Sequence, residues 1–225
     1  MAEKGLLVAM MNPPADEDAF NAWYDDEHVP LRLGVPGFLS GRRYRKTEAG
    51  DVPRYLALYD LASVDVLASD GYQRLWREQS EREKAMLASI PFNDRRVAEV
   101  VLDGPEWTRD APHQLIVCMT PPPDASDDFV AWYRDEHIPM LLAVPGWRRA
   151  RLFRQVEGNG PSFMAVHELE SPAVFERPEY AAASGTPWRK RIRESVLRYE
   201  RNMFQLWRPM PEDAAAAREA TAASD

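Results

Sequence analysis

Phe20-Asn-Ala-Trp-Tyr-Asp-Asp-Glu-His-Val-Pro30 is the stretch that decides the fold, because the chain contains it twice. The second copy is Phe129-Val-Ala-Trp-Tyr-Arg-Asp-Glu-His-Ile-Pro139, and each copy continues into Val-Pro-Gly and an arginine, Arg42 or Arg151. With a shift of 109 positions, fourteen of the twenty-six residues from Phe20 to Arg45 recur identically. The chain therefore contains an internal repeat whose copies can be compared residue by residue.

The same order of elements surrounds each copy. An apolar run that ends in prolines precedes it, and the motif itself predicts a helix that ends near the residue before Pro30 or Pro139. Three further strands are predicted in each repeat, at 38–47, 55–61 and 96–102 and at 147–156, 163–169 and 201–207. The second helix is predicted to be continuous to about Ser89 in the first repeat. In the second repeat Pro178 and Gly185-Thr-Pro187 are predicted to break it.

This β-α-β-β-α-β order is the ferredoxin-like plan. A four-stranded sheet with one bare apolar face needs a partner to cover it, and two fused repeats supply one to each other. The predicted fold is α+β, with two tandem ferredoxin-like (βαββαβ) repeats forming a pseudo-dimeric α/β barrel. The repeats span residues 5–103 and 113–208, and residues 209–225 are predicted to be a disordered tail.

Composition excludes several classes of protein. The 225 residues carry a net charge of −8, which argues against a surface that follows nucleic-acid phosphates. The single cysteine, Cys118, rules out an internal disulfide and fits a reducing compartment. Because the sequence has no apolar run of membrane-spanning length and no signal-peptide pattern, we expect a cytoplasmic protein without membrane contact.

The repeated helix carries a carboxylate and a histidine. At 100° per residue, Glu27 and Glu136 fall on the same face as the aromatic residues of the motif, and the histidines fall at its edge. A carboxylate among aromatic residues can pair with a base, be protonated with a raised pKa, or line a pocket with water. Alternation along the next strand offers Arg42 and Arg151 as bases, so Glu27–Arg42 and Glu136–Arg151 can be buried ion pairs if this strand face meets the helix.

Two roles remain open for the histidines. In the last turn of a helix, His28 and His137 can bind free carbonyls or interact with the helix dipole. A pKa near neutrality also suits them to general acid–base catalysis. The catalytic candidates are His137, His28, Glu136 and Tyr133. The Glu-His spacing does not place two ligands on one helix face, so we predict no metal site.

The second repeat differs from the first where a pocket is expected. His167 stands where the first repeat has Tyr59, and the second helix is predicted to be broken only there. We therefore expect the working pocket in the second repeat. The predicted substrate-binding residues are Trp132, Arg151, Phe153, His167 and Trp188.

The motif Trp-Tyr-x-x-Glu-His-[Val/Ile]-Pro, followed by Val-Pro-Gly and arginine, resembles the EthD-like and related members of the dimeric α/β-barrel superfamily. The resemblance covers both repeats. It implies a ligand between the sheet and the helices, and it maps the histidine most often suspected of function to His28 and His137. The superfamily hosts cofactor-free monooxygenases, cyclases, isomerases, dehydratases and haem-binding enzymes.

The residues and the resemblance together leave three hypotheses. The first is a cofactor-independent lyase or isomerase, of dehydratase or cyclase type, that acts by acid–base chemistry on a small aromatic or polycyclic molecule. The second is a cofactor-free or haem-dependent monooxygenase, and the third is a non-enzymatic small-molecule-binding module. We predict a small-molecule ligand, no cofactor and no nucleic-acid partner, and leave assembly into a homo-oligomer open.

Overall fold

A computed structural model describes residues 4–46, 53–105 and 111–208 of the chain. The turn predicted at Gly50 and the tail predicted from residue 209 lie outside these residues. Within the described residues the chain divides into two compact units, one formed by 4–46 and 53–99 with 207–208 and the other by 100–105 and 111–206. None of the helices in the described residues is long and apolar enough to cross a membrane.

The first repeat follows the predicted order of elements. Its strands are β1 (Gly5–Asn12), β2 (Arg42–Arg45), β3 (Tyr55–Leu61) and β4 (Phe92–Leu102). Its α-helices are α1 (Glu17–Trp23), α2 (Val29–Leu33), α3 (Asp70–Arg77) and α4 (Glu81–Ser89). A π-helical turn, Tyr24–His28, joins α1 to α2, and a 3₁₀ turn at Val64–Ala68 precedes α3.

The second repeat has the same order. Its strands are β5 (His113–Thr120), β6 (Trp147–Glu157), β7 (Phe163–Leu169) and β8 (Arg198–Arg208). Its α-helices are α5 (Ser126–Trp132), α6 (Ile138–Leu142), α7 (Pro178–Ser184) and α8 (Pro187–Ser195). The π-helical turn is Tyr133–His137, and 3₁₀ turns lie at Pro123–Ala125 and Pro172–Glu176.

The strands pair antiparallel in each repeat. In the first, β1 pairs with β3 and β4, and β2 pairs with β3. In the second, β5 pairs with β7 and β8, and β6 pairs with β7. Each repeat thus has the ferredoxin-like strand order. The predicted fold class is confirmed, because the fold is α+β with an eight-stranded antiparallel barrel in the order β1-β3-β2-β8-β5-β7-β6-β4.

The repeated motif is buried by its aromatic side chains. Phe20, Trp23 and Tyr24 are each at most 2% exposed and form one core cluster with the helix-facing residues of β1 and β3. Phe129, Trp132 and Tyr133 do the same in the second repeat. Each such ring removes about 150–250 Å² of surface from water, so this stripe makes a large contribution to the hydrophobic stabilisation between helix and sheet.

The π-helical turns decide which side chains face the sheet. The N–H of Val29 bonds the carbonyl of Tyr24, five residues earlier, and the N–H of Ile138 bonds that of Tyr133 in the same way. The wider turn rotates the following residues relative to an α-helix. As a result His28 is 6% exposed, whereas the Glu27 side chain is 34% exposed. The wheel prediction that placed the glutamates inside and the histidines at the edge was wrong.

Both repeats interrupt their second helix at the same place. Ser80 ends the gap after α3 and caps α4, because its Oγ accepts the N–H of Glu83 at 3.0 Å. Thr186 caps α8 by accepting the N–H of Arg189 at 3.1 Å. The prediction of a continuous helix in the first repeat was therefore wrong. A serine cap without proline or glycine beside it gave a weaker signal than Gly185-Thr-Pro187.

The predicted pairing of Arg42 with Glu27 was also wrong. Arg42 donates to Asp60 at 3.0 Å, while Glu27 bonds to Arg82 on the helix surface. Arg43, the next residue, is the one on the helix side, and it bonds Asp25 at 2.5 Å. The expected strand began at Phe38, but Phe38 makes only an isolated bridge and β2 begins at Arg42, so the assumed alternation did not hold.

The Val-Pro-Gly turn gives a test of this fold. Gly37 has φ +96°, and a methyl group there would collide with the side chain of Val66. We expect Gly37→Ala to lower the free energy of unfolding by about 1–3 kcal/mol, as for a non-glycine residue held at positive φ. Chemical denaturation measures the change.

The matched control is Gly34→Ala in the same turn region. Gly34 has φ −72°, and its added methyl group would meet only two carbonyl oxygens, at 3.5 and 3.6 Å. The unfolding free energy should therefore change by less than about 1 kcal/mol. Equal losses in the two variants would show that the positive φ of Gly37 does not matter.

Candidate functional site

A small cavity of about 40 Å³ lies between the helices and the sheet of the second repeat. Its inner wall holds two histidines, His137 from the π-helical turn and His167 from β7. Aromatic rings form its sides: Trp132, Tyr133, Trp147 and Tyr180. Its outer part is lined by Arg189, Arg193, Tyr199 and Arg201. Of the predicted site residues, the fold thus brings together Trp132, Tyr133, His137 and His167.

Two aromatic rings hold the imidazole of His137. The ring stacks on Trp132 with centroids 4.3 Å apart and planes at 21°, and it meets Tyr133 edge-on at 5.4 Å. The residue is 9% exposed, and its buried Nδ1 has no hydrogen-bond partner among the described residues. A buried polar atom without a partner costs about 1–3 kcal/mol, so such atoms tend to mark functional sites.

His167 lies beside His137 on the floor of the cavity. It is 2% exposed, meets the Trp147 ring edge-on at 5.2 Å, and also has a buried Nδ1 without a partner in the described chain. Its place on β7 corresponds to that of Tyr59 on β3, since both residues pair with a leucine of the first strand, Leu115 or Leu7. The substitution of histidine for tyrosine therefore reaches the cavity.

Burial keeps both histidines uncharged at neutral pH. Desolvation, aided by the charge of Arg201, lowers the pKa of His167 to about 3. Desolvation also lowers the pKa of His137 well below its usual value, with further contributions from His167 and Arg189. Burial raises the pKa of Tyr133, so its phenol stays protonated. The cavity therefore offers neutral imidazoles and a neutral hydroxyl group.

Three arginines surround these groups. Arg189 donates from Nη1 to the carbonyl of Ser184 at 2.8 Å. Arg193 lies over the ring of Tyr199, 3.4 Å from its centroid, and its buried Nη1 has no partner among the residues described. Arg201 lies over Phe175 at 4.9 Å. None of the described residues that line the cavity is an Asp or a Glu, so its outer part is positively charged.

The carboxylate of Glu136 has partners other than the expected Arg151. Its Oε1 accepts from Trp132 Nε1 at 3.1 Å and from Thr186 Oγ1 at 2.6 Å. It therefore joins the motif helix to the cap of α8 and fixes the Trp132 ring on which His137 stacks. The expected Glu136–Arg151 ion pair is absent from these contacts.

The structure places three predicted substrate-binding residues outside the cavity. A register shift between Trp147 and Arg149 changes the alternation along β6, so Trp147 faces the helices together with Ala150 and Leu152. Arg151 and Phe153 therefore lie on the other face of the strand, where the Arg151 guanidinium stands 5.0 Å from the Phe153 ring. Trp188 donates to Asp128 at 3.2 Å and does not line the cavity.

The first repeat contains an equivalent cavity of about 50 Å³. Here a carboxylate lies beside the histidine: His28 Nδ1 is 3.5 Å from Glu83 Oε1 without a hydrogen bond to it, and Arg32 Nη1 reaches the same oxygen at 3.4 Å. Tyr59 donates to the hydroxyl of Tyr24 at 3.5 Å. Burial lowers the pKa of His28 to about 3, against the opposing effect of Glu83.

Sequence reasoning missed Glu83, Arg32, Arg189 and Arg193. The signal existed, because Ser80 and Thr186 are helix caps, and aligning the two caps places Glu83 opposite Arg189. The alignment was missed because the second helix of the first repeat was predicted to be continuous.

A metal ion or haem does not fit this site. Among residues 4–46, 53–105 and 111–208, no group of three or more His, Cys, Asp and Glu side chains could hold a metal ion. The space beside His137 and His167 is about 40 Å³, far below the several hundred Å³ that a large planar cofactor needs.

Comparison with known proteins supports the fold. No family model and no curated protein matches the sequence. Solved structures do match. One described as an anthrone oxidase-like protein is 15% identical, with a TM-score of 0.61 and 93% of each chain covered.

Two further structures give the same result. A monooxygenase-like protein from Listeria innocua is 10% identical, with a TM-score of 0.55, and the match covers 92% of this chain and 95% of that one. A variant of chlorite dismutase from Candidatus Nitrospira defluvii is 10% identical, with a TM-score of 0.60 and 92% of each chain covered. These structures have the dimeric α/β-barrel fold, and at such identities they establish the fold alone. Membership of the EthD-like branch stays a prediction.

The lowered pKa of His167 gives a pH test. In the unfolded chain this imidazole binds a proton below about pH 6.5, but in the folded chain it does so only near pH 3. The unfolded state therefore holds more protons between these values, and the free energy of unfolding should fall as the pH decreases from about 6.5 towards 3. One such group contributes up to about 1.4 kcal/mol per pH unit.

His167→Tyr, which copies Tyr59 of the first repeat, should remove that contribution. We expect the slope of unfolding free energy against pH to decrease by about 1 kcal/mol per pH unit between pH 4 and 6. Urea denaturation at several pH values measures it. An unchanged slope would mean that His167 is not neutral and buried.

Proposed function

We propose that the second repeat is a cofactor-independent acid–base enzyme that removes a proton from a small, enolisable or phenolic molecule. The observation that carries this proposal is the pair of buried, uncharged histidines with partnerless Nδ1 atoms, in one cavity whose outer part holds three arginines. Titratable groups with shifted pKa values in a cavity are typical of catalytic sites.

His137 is the proposed proton acceptor. A neutral imidazole can accept a proton at pH 7, although a low pKa makes it a weak base. A substrate anion beside it would raise this pKa, because a neighbouring negative charge favours the charged imidazolium. Arg189 and Arg193 would stabilise the negative charge that develops on the substrate oxygen.

Tyr133 and Glu136 have supporting roles in this proposal. The protonated phenol of Tyr133 would donate a hydrogen bond to the same oxygen or return the proton. Glu136 acts through Trp132, the ring on which His137 stacks, and is therefore a positioning residue. His167 adds a second neutral imidazole that can hold the substrate.

The size of the cavity limits the substrate. About 40 Å³ admits a group of a few atoms, such as a carboxylate or a carbonyl with its neighbouring carbon. An aromatic remainder would have to lie at the outer part, where Tyr199 is 41% exposed and Arg201 is also exposed. The proposed substrate is therefore still an aromatic or polycyclic molecule, as in the lyase or isomerase hypothesis, with only its reacting group inside the cavity.

Oxygenation is the second candidate. The carbanion formed by proton removal can react with O₂ instead of being protonated or losing a leaving group, and both routes need the same first step. The fold shared with an anthrone oxidase-like and a monooxygenase-like protein favours testing it, as an analogy at the level of the fold.

The first repeat fits a structural role better. There Glu83 already accompanies His28, and Glu27 lies on the surface bonded to Arg82. We propose that His28 holds the first repeat together and takes no part in proton transfer.

Deuterium exchange tests the proposal without knowledge of the final product. Pyruvate, phenylpyruvate and a hydroxyaryl ketone are incubated in D₂O, and ¹H NMR follows the loss of the proton beside the carbonyl. We expect the wild-type protein to accelerate exchange of at least one compound, and His137→Gln to slow it about 10²–10⁴-fold, as for loss of a general base.

His28→Gln is the matched control, since it changes the same position of the motif in the other repeat. It should retain the wild-type exchange rate. An oxygen electrode on the same samples separates the two candidates, because only oxygenation consumes O₂. Exchange that is equally fast in His137→Gln and the wild type would contradict the assignment of His137.

A further inference from the structure

Helices α4 and α8 present opposite charges at the same position. Each begins after a hydroxyl cap, Ser80 or Thr186, whose side chain accepts the N–H three residues further on. That third residue is Glu83 in the first repeat and Arg189 in the second. Both side chains are near the histidine of their own repeat: Glu83 Oε1 lies 3.5 Å from His28 Nδ1, and Arg189 lines the same cavity as His137.

In the first repeat, Glu83 acts as a built-in anion. It is 3% exposed, and its Oε1 lies 3.5 Å from His28 Nδ1 and 3.4 Å from Arg32 Nη1. Arg32 also donates to the carbonyl of His28 at 3.1 Å, which holds the three groups together. The carboxylate therefore neutralises the Arg32 cation and places a negative charge 3.5 Å from the imidazole nitrogen, which makes no hydrogen bond to it.

In the second repeat, the described residues place no carboxylate beside His137 that corresponds to Glu83. Arg189 replaces Glu83, and Leu141 stands at the motif position of Arg32. Nδ1 of His137 and Nη1 of Arg193 are buried without hydrogen-bond partners in the described chain. Leaving such atoms without partners is costly, and an anion in the cavity would satisfy them.

We propose that the second-repeat cavity binds a small organic anion, a carboxylate or an enolate, in the place that the Glu83 carboxylate occupies in the first repeat. Arg189 and Arg193 supply the charge, and the imidazole of His137 supplies the directional hydrogen bond. The inference deepens the proposed function of this site by naming the class of its ligand, but it concerns binding and is measured without turnover.

Titration with simple carboxylates tests the proposal. Acetate, propionate and benzoate are added to the full-length protein, and tryptophan fluorescence is followed, since Trp132 stacks on His137 and Trp147 contacts His167. Chloride at equal ionic strength corrects for screening. We expect saturable binding of at least one carboxylate and a Kd at least tenfold weaker in Arg193→Gln.

Arg191→Gln is the matched control on the same helix. The Arg191 side chain is 63% exposed and bonds Asp128 at 2.9 Å, away from the cavity lining. Its Kd should equal that of the wild type. Equal losses in both arginine variants would reduce the effect to general surface charge and overturn the proposal, as would the absence of saturable binding in the wild type.

Exchanging the charge between the repeats gives a second, independent test. Arg189→Glu places a carboxylate beside His137 and should abolish carboxylate binding.

The complementary change is made in the first repeat. In an Arg193→Gln background, Glu83→Ala should lower the Tm, and acetate should restore part of the loss by entering the space beside His28 and Arg32. If Glu83→Ala does not fold, the carboxylate affinity of Arg189→Glu alone is the test. Wild-type affinity in that variant overturns the proposal.

These results separate this inference from the proposed function. Carboxylate binding that depends on Arg193, together with no deuterium exchange, would keep the ligand class and remove the enzymatic role. Deuterium exchange that depends on His137, together with equal carboxylate affinity in wild type and Arg193→Gln, would keep the enzymatic role and remove the proposed ligand class.

Discussion

Burial of an uncharged imidazole against a tryptophan ring is the contact on which the rest of the structure depends. In both repeats a π-helical turn directs the histidine inward, onto Trp23 at 4.5 Å or Trp132 at 4.3 Å between ring centroids. Removing an ionisable group from water favours its neutral form. The fold therefore delivers a neutral, positioned imidazole to the space between helix and sheet.

What surrounds that imidazole differs between the repeats. In the first, Glu83 and Arg32 form a buried ion pair beside His28, whose Nδ1 lies 3.5 Å from the carboxylate without a hydrogen bond to it. In the second, Arg189 and Arg193 bring positive charge, the described residues that line the cavity include no carboxylate, and His167 replaces a tyrosine. One scaffold thus contains a closed arrangement and an incomplete one. The incomplete one suits a ligand of opposite charge, and the duplicated motif by itself does not show this difference.

The duplication predicted the order of elements, the strand pairing and the core aromatics, because these follow from hydrophobic pattern and repetition. Side-chain direction could not be predicted where local geometry departs from the ideal. The π-helical turn brought His28 inward and left Glu27 at the surface. The register shift after Trp147 removed Arg151 and Phe153 from the cavity. Because the serine cap before α4 was not predicted, Glu83 was not aligned with Arg189 of the second repeat. Each is a local departure from regular geometry that hydrophobic periodicity does not reveal.

The most direct test of the account is an ¹⁵N NMR pH titration of the histidine side chains, with and without acetate. Without acetate, His28 and His137 should both remain neutral between pH 5 and 7, because burial lowers the pKa of each. Acetate should raise the pKa of His137 and leave that of His28 unchanged, since Glu83 already stands beside His28. Equal responses of the two histidines, or a charged His137 at pH 7 without acetate, would contradict the account.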